Sequence, residues 1–172
     1  MLKKGANAVY FLEEIIDFLK KKDYSPFFFR DGHTHAEINL YVNDKADYVE
    51  VFVRAHNNMI LDKTADWTID VLEHLEECIQ RAYVWLSKQS LCDRWLTKPA
   101  YSPQELEQLF TICELDIEEA GSVLGNPKPG GGVFVMRFAF EDTKPMNPYP
   151  WHHDIYFDCD DLQPYMSEKD LW

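Results

Sequence analysis

No stretch of this chain stays uncharged and apolar for the roughly 20 residues that a bilayer-spanning helix needs. The early lysines at positions 3 and 4 are followed by Glu13, Glu14 and Asp17, where the apolar region of a secretory signal would continue. A soluble, cytoplasmic protein is the expectation. Basic residues are scarce as well: 17 Lys and Arg stand against 30 Asp and Glu, a formal net charge of −13. That balance repels phosphate backbones and anionic lipid, which disfavours nucleic-acid and membrane binding and favours a basic protein partner. Cysteine is confined to positions 78, 92, 113 and 159 with no C-x-x-C spacing. The usual zinc and dithiol motifs are therefore missing, and the thiols read as reduced core residues. No G-x-S-x-G occurs, so a nucleophilic hydrolase has no anchor. The glycine-rich segment from Gly125 to Gly132 lacks Gly-Lys-Ser/Thr, and its prolines remove donors that a phosphate cradle would use. It reads as a flexible connection.

What is abundant is apolar and aromatic material, 46% and 15% of the 172 residues, enough for one domain to build a dense core without metal, disulfide or cofactor. The longest regular stretch runs from Ala65 to about Trp95. Leu72, Leu75, Ile79, Ala82 and Leu86 recur at spacings of three and four, flanked by Val71, Cys78, Trp85 and Cys92, and together form one apolar stripe. A helix of about 40 Å at 1.5 Å per residue needs a surface to lie on. The remainder of the chain supplies strands. Asn7 to Lys22 has helical apolar spacing, and Asp31-Gly32 marks a hairpin that leads into a strand through Ala36, Ile38, Leu40 and Val42. Val49, Val51 and Val53 alternate in a third strand. Beyond the long helix, Ser102-Pro103-Gln104-Glu105 carries a capping box that opens a short helix. Ile112 to Ala120 then alternates, Cys113, Leu115 and Ile117 inward and Glu114, Asp116 and Glu118 outward to solvent. Val133 to Glu141 and Asp154 to Asp161 complete the sheet, and residues 162–172 form an acidic tail. The expected fold is α+β: a mostly antiparallel sheet of about five or six strands with one long helix across a face, an N-terminal helix and a short capped helix.

Two histidine pairs are the best metal-ligand candidates. His33 and His35 alternate on a strand with Glu37 beyond them, and His152 and His153 precede Asp154 and Asp158. Convergence of the two pairs would create a site able to hold zinc or position a base; polar residues on a hairpin and a loop are the plainer explanation. A third possibility is a small-ligand or peptide receptor closed by the aromatic loop Met146 to Trp151. The acidic residues Glu114, Asp116, Glu118, Asp158, Asp160 and Asp161 are the expected partner-binding surface, since a row of carboxylates speeds capture of a basic protein. Plain solvation of an edge strand would use the same residues.

The order of elements from Thr64 to Asp158 resembles a group of small acidic bacterial domains of unknown function, some of which look like immunity proteins of polymorphic toxin systems. The resemblance rests on Leu115 to Glu118 after the short helix, Phe138 to Glu141 at the end of the penultimate strand, and His153 to Phe157 in the last. It implies a non-enzymatic, cofactor-free binding module that neutralises a toxin, with no catalytic residues to transfer. The proline-rich loop from Thr143 to Trp151 and the hairpin region differ from that group's pattern.

Overall fold

A computed structural model describes residues 28–29, 35–41, 48–54, 60, 62–89, 96, 98–118, 131–140 and 152–170, together with Asp17 and Lys21. Among the described residues, seven strands form one sheet in chain order: β1 (Phe28–Phe29), β2 (His35–Tyr41), β3 (Tyr48–Arg54), β4 (Phe110–Ile117), β5 (Val133–Phe140), β6 (His152–Asp158) and β7 (Pro164–Asp170). Among the described residues, three helices connect β3 to β4: α1 (Asp62–Glu73), α2 (Leu75–Leu86) and α3 (Pro103–Leu109). The α+β class holds, but the sheet is mixed where a mostly antiparallel one was expected. β3 and β4 run parallel, and every other neighbouring pair is antiparallel. The parallel step follows from the helical crossover, because a chain that leaves one strand end and returns along a helix re-enters in the same direction.

One face of the sheet is covered by the helices. Val49, Val51 and Val53 of β3, Leu115 and Ile117 of β4, Phe134, Met136 and Phe138 of β5, and Ile155 and Phe157 of β6 share a core with Val71, Leu72, Leu75, Cys78, Ile79, Ala82, Tyr83 and Leu86. The helical residues are those at spacings of three and four, as an amphipathic helix on a sheet requires. Phe134 stacks on Phe157 with ring centroids 4.7 Å apart, and Tyr83 meets Phe138 edge-on at 5.3 Å.

The expected single rod is interrupted. His74 sits between α1 and α2 with φ −107° and ψ 20°. Its backbone N–H donates to the Asp70 carbonyl at 3.1 Å, and its ring Nδ1 lies 2.9 Å from that same oxygen. A side chain intruding on the i→i−4 ladder is a recognised cause of helix distortion. The ladder resumes at once, with the Cys78 N–H on the His74 carbonyl. The short helix forms as its sequence dictates: Ser102 accepts from the Glu105 N–H, Glu105 reaches back to the Ser102 N–H, and Pro103 opens the helix. Lys98 adds an ion pair to Glu105, and the cation together with the cap holds that carboxyl down at about 2.

Two further differences concern strands. A register irregularity between Ile112 and Glu114 lets Phe110 and Ile112 point to the core before it and Leu115 and Ile117 after it, so Ile112 rather than Cys113 is the inward residue. The expected C-terminal tail is instead strand β7 over Pro164–Asp170, paired with β6. Of the N-terminal helix, Asp17 and Lys21 are helical and exposed; the rest of it, the Asp31-Gly32 turn and the loop from Met146 to Trp151 lie outside the described residues.

Candidate functional site: the charged face of the sheet

Strand alternation places every second residue of β4, β5 and β6 on the face away from the helices. The register assembles them into cross-strand rows. Glu114, Arg137 and Asp154 make the first row, and Asp116, Val135, Tyr156 and Met166 the second. The third is Glu118, Val133 and Asp158, joined by Val133–Asp158 pairing and by the Glu118 N–H on the Val133 carbonyl at 2.9 Å. β3 adjoins these rows, with Glu50 beside Glu114 and Phe52 beside Asp116.

Four of the six sequence-predicted acids, Glu114, Asp116, Glu118 and Asp158, thus come together, but they do not form an open anionic row. Arg137 donates Nε and Nη2 to the two oxygens of Asp154, both at 2.9 Å, and Nη1 to Glu114 at 2.8 Å. Arg54 grips Glu118 with Nη2 at 2.7 Å and Nε at 3.3 Å. Asp154, Asp158 and Glu118 are buried, as are Val133, Val135 and Tyr156 between them. The expectation of an acidic solvent face on β4 is corrected accordingly. Carboxylates packed among apolar side chains need cations, and two arginines supply them.

The charge balance leaves one carboxyl exposed to its neighbours' repulsion. Burial, reinforced by the Glu118 charge and then by Glu114, pushes Asp116 up to about 7, with Arg54 and Arg137 only partly opposing. Its Oδ1 is buried without a hydrogen-bond partner. Burial also raises Glu114 against the pull of Arg137. Arg137 is held firmly protonated, first by its hydrogen bonds to Asp154. Tyr156 donates to Glu168 at 3.2 Å, and burial beside Asp158 raises the Tyr165 hydroxyl. Chemically this face can store a proton near neutrality at Asp116, while its two arginines are committed to carboxylates.

Asp160 and Asp161 lie elsewhere, exposed on the turn between β6 and β7. Asp160 accepts from Trp67 Nε1 at 3.1 Å and lies 3.9 Å from Lys63, whose ammonium sits 4.4 Å from the Trp67 ring centroid. Asp161 accepts from the Gln163 N–H at 3.0 Å. The turn includes Leu162 in the left-handed region at φ 55°. Its buried side chain and a 2.8 Å bond from Arg81 Nη1 to its carbonyl offset the cost of that conformation. The last glycine of the Gly-rich segment, Gly132, is packed against Trp67, and a Cβ there would approach the indole to 2.2 Å.

The two histidine pairs do not converge. β2 and β6 are separated by β3, β4 and β5, about 19 Å across the sheet at roughly 4.8 Å per strand, and the register puts His35 level with the end of β4 and His152 level with its start, so the two stand farther apart still. His152 and His153 are consecutive on β6 and face opposite ways. His153 is buried on the helix side, its ring edge-on to Phe110 at 5.3 Å. His33 lies outside the described residues, and among those described no group of three or more His, Cys, Asp or Glu could hold a metal ion. Burial raises the thiols of Cys78 to about 12 and Cys113 to about 11, and raises Cys159 too, which suits inert core residues. Sequence reasoning missed Arg54 and Arg137. The available signal was Arg137 as the lone charge in the apolar run Val133 to Phe140.

In comparisons with protein-family models, curated proteins and solved structures, nothing matches the chain. Among the described residues, no helix is long and apolar enough to cross a membrane.

Proposed function

We propose that this chain is a non-enzymatic protein-binding module, immunity-like, that neutralises a basic protein partner such as a toxin by presenting carboxylates to it. The observation that carries this reading is where unneutralised acid remains. Asp66, Asp70, Glu73 and Glu77 follow one another at spacings of four, three and four, on the side of α1 and α2 opposite the buried stripe. Asp66 and Glu73 are exposed and make no ion pair among the described residues; Asp70 has only the half-exposed His74 at 3.3 Å, and Glu77 the Arg81 guanidinium at 3.3 Å. The exposed turn that carries Asp160, beside Lys63, is tied to α1 by Trp67. The interface therefore moves from the β4 row, where Arg54 and Arg137 neutralise the acids, to the outer helical surface. Complementary charge there would speed encounter with a basic partner and make it salt-dependent.

The test is co-purification of the full chain with the product of the adjacent gene, with an assay for protection against that product's activity. Complex formation, protection and an at least tenfold weakening by Asp66→Lys with Glu73→Lys are expected. Neither complex nor protection, or a complex indifferent to both charge reversals and to salt, would sink the proposal.

A further inference from the structure

Two basic residues flank one groove: Lys88, and Arg81, which is already paired with Glu77. A groove of about 390 Å³ runs between the C-terminal half of α2 and the start of β7, lined by Val84, Trp85 and Pro164 together with Arg81 and Lys88. Among the described residues, no carboxylate lines it. Val84 is the exposed large hydrophobic residue of the described structure, at 42%. The walls are fixed in advance. Trp85 Nε1 donates to Ser167 Oγ at 3.2 Å, and Arg81 is pinned by the Leu162 carbonyl and Glu77. A preformed apolar notch with polar groups at its margin is the usual form of a docking site, because little side-chain freedom is left to lose on binding.

From this lining we infer that the groove docks an acidic peptide segment of a second protein. One branched or aromatic side chain seats on Val84, Trp85 and Pro164, and a flanking carboxylate meets Lys88 and the outer edge of Arg81. Lys88 is exposed and makes no ion pair among the described residues. The ligand chemistry is opposite to that of the basic partner proposed above. The two surfaces stand or fall separately.

Displayed random heptapeptides panned against the full chain, with Val84→Asp and Lys88→Glu variants as counter-targets, test this directly. The expected enrichment pairs Asp or Glu with an apolar residue, and the corresponding synthetic peptides bind either variant at least tenfold more weakly and shift the Trp85 indole N–H resonance. Both positions are exposed, so thermal midpoints of the variants should match the parent and a lost signal reports on the groove. No enrichment, enrichment of basic peptides, or peptides that bind parent and variants alike would overturn the inference.

Discussion

On the helix side of the sheet, Phe134, Met136 and Phe138 of β5 are wholly buried among apolar neighbours; on the other side, the alternate residues of the same strand lead to Arg137, shared by Glu114 and Asp154. The helix side excludes water, while the charged side does so only in part, with Arg137 and Glu114 half-buried. The helix side gains from area removed from water, which is nearly indifferent to pH and salt near room temperature. The charged side depends on each ion keeping its counter-ion, so its stability is conditional. One strand, through period-two alternation alone, carries both regimes.

The comparison breaks first at Phe138. Phe138→Ala removes a fully buried ring and its edge contact with Tyr83, and should cost about 3–5 kcal/mol in urea unfolding at any pH between 5 and 8. Arg137→Met should cost about 2–4 kcal/mol, less than a fully buried pair because the guanidinium is 29% exposed. Adding Glu114→Gln and Asp154→Asn should recover most of that loss. A triple variant no more stable than the single would show that the arginine acts by packing rather than charge.

Asp116→Asn sharpens the contrast through pH. The folded carboxyl titrates at about 7 and the unfolded one near 3.8, so between those values the native state holds a proton that the unfolded state has released. Stability is then fully present below about 3.8, falls as pH rises through 7, and is flat above. The asparagine variant should gain about 1–3 kcal/mol over the parent at pH 8 and nothing near pH 4, measured by urea midpoints at both values. Smallest of the four, Ser102→Ala removes one half of the capping box and should cost about 1 kcal/mol, without pH dependence across neutrality.

Features set by neighbours in sequence were legible from it. The valines at 49, 51 and 53, the capping box at 102–105 and the apolar stripe of α2 each encode their structure within a few residues. Features set by register between distant segments were not. The arginines that neutralise Glu114 and Glu118 lie 23 residues away in β5 and 64 residues away in β3, and no local spacing announces that pairing. The bulge after Ile112 and the recruitment of residues 164–170 as a strand are of the same kind. At His74 the interruption comes from a ring beside a carbonyl, with no proline or glycine to mark it. As for the candidate site, six acids were expected to share one surface; four of them lie on this face, Asp160 and Asp161 lie on the turn after β6, and the arginines beside the four were not anticipated.

The parallel seam sets the order in which the molecule assembles. β1 to β3 and β4 to β7 are each built from strands adjacent in sequence, while the seam joins Glu50–Val53 to Glu114–Ile117 across the intervening residues 55–109. Closing a loop of that length costs about 3–4 kcal/mol in chain entropy before any contact rewards it. Each panel closes connections of at most 15 residues and can therefore form before the seam, which the smaller N-terminal panel, with β1 only two residues long, joins once the helices have docked. In hydrogen exchange under native conditions, amides of β2 and β3 would open as a unit ahead of β5 and β6.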